Sequence, residues 1–388
     1  MTPIELLLAD VQRAWSQAAP AGPVRHRLLE DPARLLTLLR AGETTREASQ
    51  TRLGVPVPRF CIFSVTWACN LHCVGCYAKC YTRGHELSLP QIAGVLDDAR
   101  RLGTYLYIIV GGEPLTVPGL IDVLARREQS LFFLFTNGTL LTAEHAVAVA
   151  AATNILPVIS FEGAETATDD RRGLGVNAKV QDAMGLLRDA GVAFGCATMV
   201  THRNLATVTS RAWFDRVWEH GARFYYIIDY VPFPADLDET RRLTPADMAF
   251  KRRALAERYA EARPLVMNFP PDEYAEGTCQ AAGRGFIHVN ADGFVEPCPF
   301  SHYAADNVLD KPLAEILGSE FFRGLRAHMD AQGDMGGACL LFATEPRVRE
   351  IAARSGAFCT ERRQNASTAP REALPPVRTH VPRAGEAT

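Results

Sequence analysis

Between residues 60 and 228 short apolar runs alternate with amphipathic stretches. Phe60 to Thr66, Tyr105 to Val110, Leu131 to Thr136, Leu156 to Phe161, Ala193 to Val200 and Arg223 to Ile228 are rich in aliphatic and aromatic residues, the pattern of buried strands. Helical spacing of apolar residues marks Ser88 to Leu102, a segment near Gly119 to Arg127, Thr142 to Ala152, another near Ala178 to Ala190, and Asn204 to His220. Ser88 as N-cap, Pro90 in the first turn and Gly103 as the stop frame the first of these helices. Strands that alternate with helices predict a parallel sheet with helical crossovers. A closed barrel needs eight such units, so six predict a partial, open barrel, with an open doubly wound sheet as the alternative.

The flanks read differently. Residues 1–58 form a helical lead-in, with leucines at 6–8, 28–29, 35–36 and 38–39 interrupted by Pro20, Pro23 and Pro32, and with Pro56 and Pro58 as an extended entry to a barrel over 59–230. After Asp229 prolines become frequent, and Pro245 to Ala262 is the one clear helix. Gly285 to Asn290 and Phe294 to Cys298 flank Asp292-Gly293, a strong hairpin signal. Residues 231–362 are read as a second domain, and 363–388, poor in apolar residues, as a disordered tail.

Charge and length narrow the class. The chain of 388 residues carries 41 Lys and Arg against 44 Asp and Glu, a balance without the basic excess that coating nucleic acid requires. No apolar run reaches the roughly 20 residues of a membrane helix, and Asp10, Gln12 and Arg13 interrupt the leucine-rich start, so a cytoplasmic protein is expected.

Ten cysteines change the picture, because in such a chain clustered cysteines point to metal or redox chemistry. Cys69, Cys73 and Cys76 form CxxxCxxC just past the first strand. Three thiolates so spaced can hold three irons of a cubic [4Fe–4S] cluster and leave the fourth open to a ligand. A zinc site, closed by Cys80 or His72, is the alternative, although structural zinc favours paired two-residue spacings. Gly111-Gly112-Glu113-Pro114 directly follows the second strand, where glycines let backbone approach a ligand, or form a plain strand-to-helix turn. Cys61 and Cys196 lie within strands as small core residues, and Cys80 reads as a surface thiol without a role.

With both motifs in this order and separation, residues 58–230 resemble the radical S-adenosylmethionine (radical SAM) superfamily. The resemblance implies an α/β fold, a partial (β/α)6 TIM-like barrel. It implies that Cys69, Cys73 and Cys76 hold a [4Fe–4S] cluster whose open iron is chelated by the methionine moiety of S-adenosylmethionine. Gly111, Gly112 and Glu113 would then receive the amino group, Ser160 and Glu162 the ribose and methionine, Arg172 the carboxylate, and Val200 the adenine through its backbone. Asn137 falls in the family's strand-three position. One departure is Gly75, where the family often has an aromatic residue, with Tyr77 the nearest aromatic in this chain. Ser160 and Asn137 have the simpler reading of helix caps, and Arg172 that of a loop charge.

Cys279, thirteen residues, Gly293, four residues and Cys298 resemble the opening of the SPASM/Twitch extension of that superfamily. The dense cysteine run of a full SPASM domain is missing. With Cys339 and Cys359 four thiols remain, enough for one auxiliary [4Fe–4S] cluster in a Twitch-like domain; a zinc site or unligated thiols are the alternatives. If Cys359 is not a ligand, the fourth position goes to substrate, to Ser301 or to nothing.

The resemblance implies an oxidoreductase that reductively cleaves S-adenosylmethionine to a 5′-deoxyadenosyl radical, which abstracts hydrogen from an organic small molecule. The auxiliary cluster would assist electron transfer, and a flavodoxin or ferredoxin would supply electrons. Asp229, Tyr230 and His202, at the ends of strands six and five, are candidate catalytic residues; Asp229 as a cap, or paired with Arg223, is the plainer reading. A peptide or protein maturase is the alternative, and a non-catalytic metal-binding scaffold the third class.

Overall fold

The computed structural model describes residues 32–81, 85–163, 166–232, 238–261, 263–270, 278–333 and 339–361. Most of the lead-in before Pro32 and the tail from 363 therefore lie outside the described residues.

All six expected strands form: β1 (Phe60–Ser64), β2 (Leu106–Val110), β3 (Leu131–Thr136), β4 (Ile155–Ser160), β5 (Phe194–Val200) and β6 (Ala222–Asp229). Each pairs in parallel with the next, and β7 (Leu265–Phe269) adds to β6 in the same sense. At the other edge β1 pairs in parallel with β8 (Phe286–Val289), which turns back antiparallel as β9 (Val295–Glu296). The result is one nine-stranded sheet, ordered β7-β6-β5-β4-β3-β2-β1-β8-β9. The hairpin expected at Asp292-Gly293 thus belongs to the barrel sheet itself. Its tip is fixed by Asn290, whose side-chain oxygen accepts from the Asp292 and Phe294 N–H groups at 3.1 and 3.0 Å. Gly293 takes φ +89° there, a conformation that glycine adopts without a Cβ penalty.

Side chains alternate across the strands. Tyr107, Ile109, Phe132, Leu134, Phe194, Cys196, Tyr225 and Ile227 join the core beneath the outer helices. The other face turns inward, and its lower layer of Tyr105, Leu131, Leu156, Ala193 and Phe224 sits where strands begin. Helix α1 (Pro32–Leu53) seals this end by packing Leu35 and Leu39 against that layer. It crosses at Gly42, where an added Cβ would lie 2.2 Å from the Tyr105 ring. With the strand starts plugged, a cavity opens toward the strand ends.

Around the sheet run α2 (Leu89–Leu102), α3 (Leu120–Ala125), α4 (Ala143–Ala151), α5 (Ala167–Arg172), α6 (Val176–Asp189), α7 (Leu205–Val208), α8 (Arg211–Glu219) and α9 (Pro245–Glu261). Helix α2 ends as expected, with the Ser88 N–H donating to Gln91 Oε1 at 2.8 Å and Gly103 at φ 104°. The stretch Asn204 to His220 is two helices rather than one, because Ser210 caps the second through the Trp213 N–H at 3.2 Å. Helix α5 and strand β7 are additions to the expected elements: the former is a short charged segment, the latter a five-residue run containing Asn268.

Beyond the hairpin, β10 (Tyr303–Ala304) pairs antiparallel with β11 (Phe358–Cys359), enclosing α10 (Leu313–Leu317), α11 (Glu320–Gln332), α12 (Leu340–Ala343) and α13 (Glu345–Arg354). These helices correct the expectation of a single clear helix after Asp229. Phe321, Phe322, Leu325, Val348 and Ile351 give them a core continuous with that of the barrel.

Candidate active site

At the strand ends lies a cavity of about 750 Å³, lined by Cys69, Cys73, Cys76, Tyr77, Gly111, Gly112, Glu113, Asn137, Ser160, Arg172 and Asp229 among others. The loop after β1 and the turn after β2 are laced together. Gly112 N–H donates to Thr66 O at 2.6 Å and Glu113 N–H to Ala68 O at 2.7 Å. A Cβ on Gly111 would stand 2.4 Å from Thr66 O, and one on Gly112 2.1 Å from Ala68 O. The diglycine is therefore required by loop crossing, which fixes the chain directly before Cys69.

Glu113 anchors the turn from within. Its carboxylate accepts from the Leu115 and Asn137 N–H groups at 3.0 and 2.7 Å and from Thr136 Oγ1 at 2.7 Å. Burial raises its pKa above the usual carboxylate range, although these three bonds oppose the shift. Asn137 continues the lattice: its Nδ2 donates to Asn70 Oδ1 at 3.0 Å and reaches Cys69 Sγ at 4.0 Å.

The three thiols share this wall with cationic and amide donors. Arg172 Nη1 points at Cys73 Sγ at 3.8 Å, and the Leu71 N–H donates to Cys69 Sγ at 3.4 Å. Burial raises the Cys76 and Cys69 pKa values, and the neighbouring thiols add to the rise. Cys69 and Cys76, which resist ionisation as they stand, suit a cationic inorganic core that draws off their protons on binding. Three donors on one wall, with room beyond them, fit a cluster with one open iron.

Glu162 is held by both Arg171 and Arg172 and accepts from the Met199 N–H at 3.1 Å. Burial alone would raise its pKa; the two guanidinium groups outweigh it and hold the carboxyl below its ordinary value. Arg171 was not singled out from the sequence. Its Nε donates to Val74 O at 3.2 Å and its own carbonyl accepts from Val74 N–H at 2.9 Å, so helix α5 grips the cysteine loop. The signal in the sequence is the run Asp169-Asp170-Arg171-Arg172, which places its acidic pair in the first turn of the helix and its basic pair in the last.

Gly75 takes φ +71°, and a Cβ there would lie 3.0 Å from the Tyr230 ring and 3.1 Å from Met199 Cε. Tyr230 and Met199 thus fill the space into which a side chain at 75 would project. Tyr77 lines the cavity and meets Ser64 Oγ at 3.0 Å; Ser64 Oγ meets His288 Nε2 at 2.8 Å, and His288 Nδ1 meets Glu296 Oε2 at 2.8 Å. Through this buried chain the cysteine loop is tied to the β8–β9 hairpin.

The remaining candidates divide. Ser160 and Asp229 are on the wall. Asp229 pairs with buried Lys251 of α9, which also donates to Asn268 Oδ1 of β7 at 3.1 Å. Its partner is Lys251 rather than Arg223, which lies over the Trp218 ring at 4.4 Å. Val200 is buried behind the wall with its carbonyl taken by the Tyr230 N–H at 2.9 Å, whereas Thr198 and Met199 face the cavity. His202 is exposed and bonds Asp247 Oδ2 at 2.8 Å, away from the cavity lining.

Cys279 and Cys298 are buried, and Cys298 closes the hairpin with its carbonyl accepting from Ser301 N–H at 3.0 Å. Cys339 caps α12, and Cys359 is exposed on β11 opposite Tyr303. Cys61 and Cys196 are core residues, the Cys61 thiol pushed up by burial to about 12. Cys80 corrects the surface expectation: it is buried, in a cluster with Trp67 and Tyr81.

Residues 63–207 match the family model of the radical SAM superfamily, and residues 279–340 that of SPASM, an iron-sulfur cluster-binding domain. The chain is 28% identical over 309 residues to the AdoMet-dependent heme synthase of Methanosarcina barkeri, covering 72% of this chain and 88% of that one. It is 32% identical over 167 residues to mycofactocin maturase MftC of Mycobacterium tuberculosis, 42% of each chain. Its fold resembles Streptococcus suis SuiB, crystallised with the precursor peptide SuiA, at a TM-score of 0.61 and 13% identity, covering 72% of this chain and 69% of that one.

Proposed function

This chain belongs to the radical SAM superfamily, in its SPASM/Twitch branch, and from that premise we propose an oxidoreductase that acts on a substrate with a broad apolar body, of the tetrapyrrole class. A [4Fe–4S] cluster and S-adenosylmethionine come with the first domain and auxiliary iron–sulfur clusters with the second. When bound, they supply one-electron cleavage of the sulfonium and hydrogen-atom abstraction from an unactivated C–H bond.

The chain's own residues would divide the work as follows. Cys69, Cys73 and Cys76 hold the cluster, with Arg172 and Asn137 as donors beside them. The Gly111–Glu113 turn and Ser160 position the nucleoside cofactor, and Thr198 and Met199 offer the wall that Val200 does not. Glu162 keeps both arginines in place. Asp229, held by Lys251, faces the cavity as the proton acceptor for an oxidised substrate. A flavodoxin- or ferredoxin-type donor supplies the electron.

The observation behind this reading is the inner wall of Phe135, Tyr226, Ile228, Phe269 and Phe300. Pockets for drug-sized ligands span roughly 300–1,000 Å³. A cavity of about 750 Å³ accommodates the nucleoside and one arm of a larger substrate, whose body rests on the aromatic rim. The similarity to heme synthase, which covers 72% of this chain and 88% of that one, supports a tetrapyrrole. The similarity to mycofactocin maturase supports a second reading, in which a peptide side chain enters the same cavity. The test is anaerobic turnover with S-adenosylmethionine and a strong reductant. An iron tetrapyrrole should raise 5′-deoxyadenosine release and be altered in mass; stimulation by a short peptide alone would replace the first reading with the second.

A further inference from the structure

We propose that Cys80, His302 and Glu361 form a mononuclear site for a zinc-class divalent cation, separate from both cysteine sets. The residues come from three places in the sequence: the loop behind the cysteine motif, the turn after the β8–β9 hairpin, and the segment after β11. Their ligand atoms all lie within 4.8 Å of one another. Cys80 and His302 are 5% and 4% exposed, so a thiol and an imidazole meet in the interior.

The imidazole is oriented as metal-bound histidines are. His302 Nε2 lies 2.9 Å from Pro299 O, leaving Nδ1 aimed at Glu361 Oε1 at 2.9 Å. A carbonyl that takes one ring N–H fixes the tautomer and presents the other nitrogen to an ion. Donors at zinc distances of about 2.0–2.3 Å stand roughly 3–4 Å from each other; here the three ligand atoms lie within 4.8 Å of one another, with His302 Nδ1 and Glu361 Oε1 at 2.9 Å. Ligands on the corners of a cubic cluster stand further apart. One thiolate, one neutral imidazole and one carboxylate also cancel a divalent charge, which a buried position requires. Sulfur, nitrogen and oxygen donors together suit zinc, and three protein ligands leave a fourth position for water.

The placement suggests a structural task. Lys79 and Tyr81, which flank Cys80, and Pro299, whose carbonyl meets His302 Nε2, line the cavity. An ion behind them would clamp the cysteine loop to the hairpin and to the last described strand.

The test uses the full chain, purified anaerobically with its clusters reconstituted, dialysed with zinc and then against buffer. The expected result is one zinc per chain beyond the iron, with zinc-edge absorption fitting one sulfur at about 2.3 Å and nitrogen or oxygen at about 2.0–2.2 Å. Cys80→Ser and His302→Gln should each lose that zinc and keep the iron. Absence of retained zinc in the unsubstituted protein would overturn the site. So would an all-sulfur shell, which places zinc at the cluster thiols, or a loss of four irons in Cys80→Ser, which makes Cys80 a ligand of the auxiliary cluster. The zinc-edge measurement on the unsubstituted chain decides the matter even if a variant fails to fold.

Discussion

The first cysteine set occupies eight consecutive positions of one loop, whereas the four thiols proposed for the second, between 279 and 359, lie before the β8–β9 hairpin, at its close, at a helix cap and on the last described strand. In the first, the spacing is itself the geometry, and the surrounding protein only holds the loop: the diglycine crossing from one side, helix α5 from another. In the second, spacing marks only Cys279, Gly293 and Cys298. The rest of the arrangement depends on β8 pairing with β1, on β10 pairing with β11 and on the helices between them. A local site can be damaged one residue at a time, while a dispersed one shares the stability of its domain.

The sharpest way to break the contrast is to remove one thiol from each set. Cys73→Ala should abolish 5′-deoxyadenosine release. Cys339→Ser should leave that release intact and lower only the auxiliary iron. Liquid chromatography of the nucleoside together with iron analysis separates the two outcomes. If Cys339→Ser also stops the release, the sets are coupled and the contrast fails.

Next in size is the loop's support. Glu162 is a buried carboxylate between two arginines, and removing one partner of such a group costs about 3–5 kcal/mol. Glu162→Gln should lower the denaturant midpoint accordingly and loosen Arg171 from Val74, weakening iron retention at the first site. The pH dependence has a definite sign. The folded pKa is lowered from 4.5, so the contribution is complete above that value and disappears as the pH falls through the lowered one. The parent's extra stability over the variant should therefore shrink in acid; a constant difference across that range would assign the effect to packing alone.

The same asymmetry governs what the sequence revealed. Strands β1 to β6, the CxxxCxxC loop, the GGEP turn and the hairpin are local patterns, each legible within a dozen residues. Helix α5 and strand β7 are not, because the charged run Asp169 to Arg172 carries no apolar periodicity and Asn268 interrupts a five-residue apolar run. Their meaning is tertiary: Arg171 reaches the cysteine loop, and Asn268 completes the Lys251 pair. Val200 lies one residue past Thr198 and Met199, which line the cavity, and its own carbonyl is taken by the Tyr230 N–H. His202 follows the right strand, but its ring turns outward to Asp247. The Tyr77–Ser64–His288–Glu296 chain joins residues more than two hundred positions apart, beyond any local signal.

A smaller effect is expected at the crossing of the two loops. Gly112→Ala places a Cβ 2.1 Å from Ala68 O, a backbone atom that yields only if the cysteine loop moves. Overpacking of this kind costs about 1–3 kcal/mol. The displacement falls directly before Cys69, so iron at the first site should drop more than the melting temperature suggests. Auxiliary iron should be unchanged, which sharpens the contrast; equal loss at both sites would blur it.

The smallest change is expected at Cys359. Its side chain is exposed on a two-residue strand, opposite Tyr303 and beyond the end of the matched SPASM segment at residue 340. Exposed substitutions usually shift stability by no more than about 0.5 kcal/mol, so Cys359→Ser should leave folding and 5′-deoxyadenosine release as they are. Serine keeps an oxygen where the sulfur was, and the auxiliary cluster should persist with a changed paramagnetic resonance signal. An identical signal would remove Cys359 from the ligand set and leave Cys279, Cys298 and Cys339 as a three-thiol site. The second region would then resemble the first in its chemistry, with an iron open to substrate, while remaining its opposite in construction.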